Sequence, residues 1–161
     1  MDEGLLLSVD CFGLPFPELS EVAAEVGDLD KAIEYARTAV LMDLGDVAGN
    51  VKDGCHIASM GGVWMVFVYG FAGLRDYDGR LSFTPRITDR LERLRFTLTV
   101  RGQMLEVDIG RNSTTYTLQE GAGFVITHEG QDIELVPGKP VRMQSHDPSA
   151  TPTGVTAAHH E

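Results

Sequence analysis

The sequence has few cysteines, few basic residues and no apolar run long enough to cross a bilayer. Its two cysteines, Cys11 and Cys55, imply no disulfide framework, so the sequence predicts a protein of the reducing cytoplasm. Thirteen Lys and Arg stand against 24 Asp and Glu, and this net charge of −11 makes nucleic acid and anionic membranes poor partners. The first residues, Met-Asp-Glu, lack the basic segment that opens a signal peptide.

The most apolar part of the chain is residues 55–74, which carry almost no charge. Its apolar side chains recur every three or four positions, at Ile57, Met60, Trp64, Phe67 and Phe71. An element that is apolar on every side is typical of a buried helix. A membrane span needs about 18 or more uninterrupted apolar residues. The uninterrupted apolar part of residues 55–74 is shorter than this, because His56 and Ser59 lie near its start.

Four glycines interrupt the predicted helix, at Gly61, Gly62, Gly70 and Gly73. Each costs about 1 kcal/mol relative to Ala in a helix interior. Their presence therefore predicts that another backbone or a ligand comes close to this element.

The polar start of the same helix is a candidate anion site. The first N–H groups of a helix have no internal partners and carry partial positive charge, so an anion is favourable there. His56 and Ser59 would lie on adjacent turns of one face and could add hydrogen-bond donors. The alternative is that both residues only cap and pack the helix.

Two short helices are predicted before this stretch. Pro17 suits the first turn of a helix over residues 17–26, and Gly27 suits the position just past its end. Asp28 is the predicted N-cap of a second helix over residues 29–42. The connection between them is short, so we expect antiparallel neighbours.

An acidic loop follows the second helix and contains Asp43, Asp46 and Asp53. These carboxylates could hold calcium, but they lack the spacing of a known cation loop. A solvated role in helix capping is the favoured interpretation, and no metal site is predicted.

From residue 75 the pattern changes to strict alternation. Leu94, Phe96 and Leu98 alternate with Arg95 and Thr97, and turn signals recur about every ten residues. This pattern predicts an antiparallel β-sandwich or sheet with one wet face. The predicted organisation is helices in residues 1–74, a β-domain in residues 75–144 and a disordered tail in residues 145–161.

The predicted layout leaves the apolar helix short of neighbours. Two short helices cannot cover an element that is apolar on every side, so something else should pack on residues 57–74. That is either a partner chain or a part of a longer protein. An uncovered helix would present a large apolar patch, and we then expect oligomers or strong dye binding.

Several runs resemble the C-terminal part of glycoside hydrolase family 65. The most specific are Asp53-Gly-Cys-His-Ile-Ala-Ser-Met-Gly-Gly-Val-Trp64 and Tyr69-Gly-Phe-Ala-Gly-Leu-Arg75, and Leu94-Arg-Phe-Thr-Leu-Thr-Val-Arg-Gly102 is also similar. The resemblance covers roughly residues 18 to 136. It implies an α+β chain in which the last helices of an (α/α)6 barrel precede a small antiparallel β-sheet or sandwich domain.

The resemblance also implies a function. The family includes phosphorylases that split α-linked glucose disaccharides, together with some hydrolases. A histidine in the Gly-x-His-x-Ala-Ser run of such enzymes is close to the phosphate, so His56 is the main phosphate-binding candidate, with Ser59 and Gly61 as weaker ones. Inorganic phosphate would be a co-substrate, and no cofactor is expected.

The family's catalytic glutamate should lie upstream of the matching region, so we expect no catalytic residue here and no turnover of disaccharides by the chain alone. The expected partners are the disaccharide and phosphate, together with a complementary barrel fragment or a second copy of the chain. The alternative is a non-catalytic interaction or carbohydrate-binding module that docks on another chain.

Overall fold

The computed structural model describes residues 16–46, 49, 51–77 and 79–144, which form a helical part and a β-sandwich. The helices are α1 (Phe16–Glu25), α2 (Leu29–Leu41) and α3 (Ile57–Met65), and α3 continues as a π-helical segment, Val66–Phe71. A 3₁₀ turn, Val51–Asp53, precedes α3. None of the helices in these ranges is long and apolar enough to span a membrane. The predicted tail and the residues before 16 lie outside the described residues.

The first two helices pack as an antiparallel pair, as predicted. The hydroxyl of Ser20 donates to the Ala32 carbonyl at 2.7 Å, and the Phe16 ring lies 6.2 Å from that of Tyr35. The chain therefore runs in opposite directions in α1 and α2. The Asp28 carboxylate accepts the backbone N–H three residues further on at 3.2 Å, which confirms the predicted N-cap.

The two halves of the predicted central helix differ in burial. In the π-helical segment, Val66, Val68 and Phe71 are buried against α1, α2 and the β-sandwich. In α3, by contrast, Ile57 is 71% exposed and Trp64 is 46% exposed. The prediction of burial on every side is therefore wrong for α3, because α1 and α2 cover only one of its sides.

Close contacts explain two of the glycines. A Cβ at Gly62 would lie 2.7 Å from the Pro17 ring, so the absence of a side chain lets α1 cross α3 closely. Gly73 has a positive φ of 62°, and a Cβ there would collide with the Thr84 carbonyl. Gly73 confirms the prediction that another part of the backbone comes close, whereas Gly62 faces the side chain of Pro17.

The β-sandwich has two four-stranded sheets. Its strands are β1 (Arg75–Tyr77), β2 (Arg80–Phe83), β3 (Arg93–Val100), β4 (Gln103–Gly110), β5 (Ser113–Glu120), β6 (Phe124–His128), β7 (Gln131–Leu135) and β8 (Val141–Gln144). One sheet has the order β1-β2-β6-β7 and the other β3-β4-β5-β8. All pairs are antiparallel except β2 with β6, which the alternation did not predict. The predicted α+β class, helices followed by an antiparallel-rich sandwich, is confirmed.

The core of the sandwich comes from the apolar faces of both sheets. Leu105, Val107 and Ile109 of β4 are fully buried, as their alternation with polar residues predicts. The Tyr116 ring of β5 lies 5.2 Å from the Phe83 ring of β2, so the two sheets meet through large side chains. The end of the π-helical segment also packs into this core.

Arg75 ties the helices to the first strand. Its guanidinium donates to the carbonyls of Tyr69 and Leu74 at 2.8 and 2.7 Å, and it lies 3.2 Å from the Glu25 carboxylate at the end of α1. Carbonyls at the end of a helix lack internal partners, and a cation there satisfies them. The start of α3, at the opposite end of this continuous helix, is left as the accessible polar end.

Candidate functional site

The start of α3 is built around the contact between His56 and Asp43. Asp43 lies in the turn that follows α2. Its Oδ1 atom is 2.5 Å from His56 Nδ1, and its Oδ2 atom accepts the His56 backbone N–H at 2.9 Å. One carboxylate therefore fixes both the ring and the backbone of the residue that caps α3.

The electrostatics of this contact favour an ionised carboxylate. The hydrogen bond from His56 lowers the pKa of the Asp43 carboxyl, and this effect outweighs the desolvation that acts in the opposite direction. A negative charge beside the start of a helix is also favoured by the helix dipole. Asp43 is thus an acceptor for His56 at neutral pH.

The second ring nitrogen of His56, Nε2, makes no hydrogen bond within the part of the chain that the structure describes. The His56 side chain is about a quarter exposed, so the ring is partly accessible to solvent. The backbone N–H groups of Ala58 and Ser59, in the first turn of α3, also have no partner inside the helix. An imidazole nitrogen and unpaired N–H groups at the start of one helix are groups suited to an oxyanion.

The other two predicted site residues follow His56 on α3. Ser59 is part of the helix, and its side chain lies outside the described atoms. Gly61 is exposed, and no atom lies within 4 Å of the place a Cβ would occupy. Its N–H lies beyond the first four of the helix, so it is bonded within the helix and is not a free donor.

Glu21 is a second carboxyl with an altered pKa, but it lies far from His56. Burial raises its pKa, and the charge of Arg75 acts in the opposite direction. Its backbone packs at Gly70, which is 14 residues along the helix from His56. At 1.5 Å per residue this separation is about 20 Å, too far for both side chains to act on one bond.

The acidic loop supplies no metal site in the part of the chain that the structure describes. No group of three or more His, Cys, Asp or Glu side chains there could hold a metal ion. Asp43 is engaged with His56, and Asp46 accepts the Val51 N–H at 3.1 Å, which is the capping role predicted for this loop. The side chain of Asp53 lies outside the described atoms.

Sequence reasoning missed Asp43 as the partner of His56. In the sequence, Asp43 stands with the other loop aspartates, and 13 residues with an irregular loop separate it from the histidine. The sequence carries a weak signal for this pair, because Asp43 directly follows the predicted second helix and His56 starts the next one.

Two family models match the chain. The model of the glycosyl hydrolase family 65 central catalytic domain matches residues 17–65, and that of the family's C-terminal domain matches residues 74–147. The helices α1 to α3 thus lie in the region that matches the catalytic-domain model, and the β-sandwich lies in the region that matches the C-terminal-domain model. The chain belongs to glycoside hydrolase family 65.

Individual relatives agree with this assignment. The chain is 46% identical over 116 residues to an uncharacterized glycosyl hydrolase of Mycobacterium tuberculosis, which covers 71% of this chain and 15% of that protein. It is 38% identical over 124 residues to the alpha,alpha-trehalose phosphorylase of Geobacillus stearothermophilus, which covers 77% of this chain and 16% of that enzyme.

A solved structure, provisionally described as a kojibiose phosphorylase from the human microbiome, superposes with a TM-score of 0.74. The sequences are 25% identical, and the match covers 80% of this chain and 17% of that one. The chain spans about a sixth of the length of the curated relatives that it matches.

Proposed function

We propose that residues 16–144 form the phosphate-holding end of the catalytic domain, and the β-sandwich after it, in a family 65 phosphorylase of α-linked glucose disaccharides. The observation that carries this proposal is His56 at the start of α3, with Nε2 unbonded in the described chain and unpaired N–H groups beside it. The similarity to an alpha,alpha-trehalose phosphorylase supports the choice of phosphate as the oxyanion.

The proposed reaction is phosphorolysis with inversion at the anomeric carbon. A carboxylic acid protonates the glycosidic oxygen while a phosphate oxygen attacks C1 from the opposite face. The C1–O bond to the leaving sugar breaks, a C1–O–P linkage forms, and an α-linked substrate gives β-glucose 1-phosphate and a free sugar. His56 and the N–H groups of Ala58 and Ser59 hold the phosphate in this scheme, and no cofactor takes part.

The general acid in this proposal comes from outside residues 16–144. Within the described residues, the carboxylate that contacts His56 is Asp43, and both of its oxygens already accept hydrogen bonds from that residue. Its lowered pKa keeps it ionised, which is the wrong state for a proton donor. Glu21, whose pKa is raised, is about 20 Å away along the helix.

The exposed side of α3 is where we propose that the remainder of a family 65 catalytic domain packs. Ile57, Met60, Trp64 and Met65 are each at least 44% exposed on this nine-residue helix. Apolar side chains at this density are typical of a surface that another part of a protein covers. The element that packs on this side would be a complementary barrel segment. The proposed compartment of the protein is the reducing cytoplasm.

Two measurements test the proposal. The chain alone, given trehalose, kojibiose or maltose with phosphate, should release no glucose 1-phosphate. A hybrid of the Geobacillus stearothermophilus trehalose phosphorylase, in which this chain replaces the aligned segment, should regain phosphate-dependent turnover. Turnover by the isolated chain would contradict the missing acid. A folded hybrid that hydrolyses the disaccharide without phosphate would contradict phosphorolysis.

A binding module that docks on another chain is the competing function, and the exposed side of α3 is the observation that favours it. The same hybrid separates the two functions. If the chain is a docking module, the folded hybrid should show no turnover. If it is part of the catalytic domain, the hybrid should regain turnover.

A further inference from the structure

We infer that Asp43 is a positioning residue of this anion site: it holds His56 with Nδ1 turned toward the protein and Nε2 turned toward the start of α3, where phosphate binds. The inference rests on the proposed function for the identity of the anion. The contact between Asp43 and His56 stands independently, because it is seen in the structure itself.

The chemistry of the two groups fixes the ring. An ionised carboxylate can only accept hydrogen bonds, so His56 Nδ1 must carry a proton where it meets Asp43 Oδ1 at 2.5 Å. Nε2 then donates to a phosphate oxygen when the ring is protonated, and accepts from a phosphate hydroxyl when the ring is neutral. Both arrangements need the same ring orientation, and Asp43 supplies it.

The second hydrogen bond of Asp43 extends this role to the backbone. Oδ2 accepts the N–H of His56 at 2.9 Å, so the ring and the first turn of α3 are held by one group. The imidazole therefore keeps a constant position relative to the unpaired N–H groups of Ala58 and Ser59. A loosely held ring would present Nε2 in several directions and would meet a bound phosphate only part of the time.

Asp43 also carries a negative charge close to the proposed phosphate, and that charge alone would weaken phosphate binding. The two effects predict opposite results when the carboxylate is removed. If Asp43 acts by positioning His56, its removal weakens phosphate binding. If Asp43 is only a nearby charge, its removal strengthens phosphate binding. The sign of the change therefore distinguishes the two roles.

Asp46 provides a matched control, since it lies three residues away in the same loop. Its carboxylate accepts the Val51 N–H at 3.1 Å, whereas the hydrogen bonds of His56 within the described residues go to Asp43. Asp43→Ala and Asp46→Ala remove the same charge and the same atoms, and only Asp43→Ala removes the partner of the histidine. Far-UV circular dichroism and a thermal melt of each variant establish that it is folded.

The first test reads the imidazole nitrogens directly, by long-range ¹H–¹⁵N NMR on the full chain with His56 assigned through His56→Gln. In the wild type and in Asp46→Ala, we expect a protonated Nδ1 and, in the neutral ring, an unprotonated Nε2. In Asp43→Ala, we expect nitrogen shifts averaged between the two tautomers. The same His56 pattern in the wild type and in Asp43→Ala would overturn the inference.

The second test adds inorganic phosphate to the same samples and follows the His56 signals. We expect Asp43→Ala to raise the dissociation constant for phosphate roughly tenfold or more, by analogy with carboxylates that orient metal-binding histidines. Asp46→Ala should change it about twofold at most, since an exposed charge is screened. Unchanged or tighter binding by Asp43→Ala would overturn the inference. If phosphate moves no His56 signal in the wild type, the proposed phosphate assignment fails, and the nitrogen pattern still decides the role of Asp43.

Discussion

Truncating Phe71 should destabilise the chain more than truncating Trp64, although both lie on one continuous helix. Phe71 is fully buried, and its ring stacks on that of Phe67 at 5.8 Å. Removing a buried aromatic side chain costs about 3–5 kcal/mol, so we expect this loss in the free energy of unfolding for Phe71→Ala.

The expected cost for Trp64→Ala is smaller because Trp64 is 46% exposed. Full burial of a large apolar side chain stabilises a fold by about 1.5–3 kcal/mol. Because Trp64 is only about half buried, its truncation should remove about half of that free energy. The T-shaped contact with Tyr69, at 5.9 Å, adds about 0.5–1.5 kcal/mol. We therefore expect a total of about 1.3–3 kcal/mol.

Urea unfolding followed by far-UV circular dichroism measures both values. Trp64 is the single tryptophan, so fluorescence cannot serve for its variant. A low protein concentration prevents self-association, which would bury the exposed side of α3. Equal slopes of the free energy of unfolding against urea concentration support a two-state comparison of the variants. Equal costs for the two variants would refute the reasoning, because they would mean that the first half of the helix is as well covered as the second.

Further predictions concern backbone strain and pH. Gly73→Ala should destabilise the chain by more than Gly102→Ala, because both glycines have positive φ but only Gly73 meets a carbonyl where the Cβ would lie; denaturant melts compare them. The pKa of Asp43 is lowered in the folded chain, so its ionised carboxylate stabilises the fold above the unfolded pKa of about 3.9. This stabilisation is lost as the pH falls below that value. The difference in melting temperature between the wild type and Asp43→Asn should therefore shrink from pH 6 to pH 3. Burial raises the pKa of Tyr116, whose hydroxyl lies 2.8 Å from His128 Nδ1, so stability should fall above about pH 10, where the unfolded phenol ionises. Tyr116→Phe should cost about 1–3 kcal/mol at pH 7 and remove this alkaline loss in thermal melts.

Local signals predicted much of the fold. The N-cap at Asp28 and the hairpin turn at Arg101-Gly102, with positive φ at both residues, follow from interactions between near neighbours in the chain. Burial of alternate residues in β4 follows from the two-residue period of a strand. These features depend on the sequence within a few positions, which is why residue patterns were sufficient.

Features that depend on distant parts of the chain were not predictable in the same way. The parallel pairing of Ser82 with Thr127 joins strands separated by the whole of the other sheet's first three strands. The exposure of Trp64 depends on which elements pack on α3, and an apolar pattern does not contain that information. The position of His56 was predicted from its motif, but its carboxylate partner Asp43 was not, because the loop between them has no regular period.

The hybrid phosphorylase tests most directly whether His56 holds phosphate in a family 65 reaction. His56→Gln in that hybrid should raise the KM for phosphate about 10- to 100-fold, because a hydrogen bond to a charged group contributes about 1.5–3 kcal/mol. The KM for the disaccharide should stay within about twofold of its original value. Asp46→Asn should change neither constant. A folded His56→Gln hybrid with an unchanged KM for phosphate would contradict the claim.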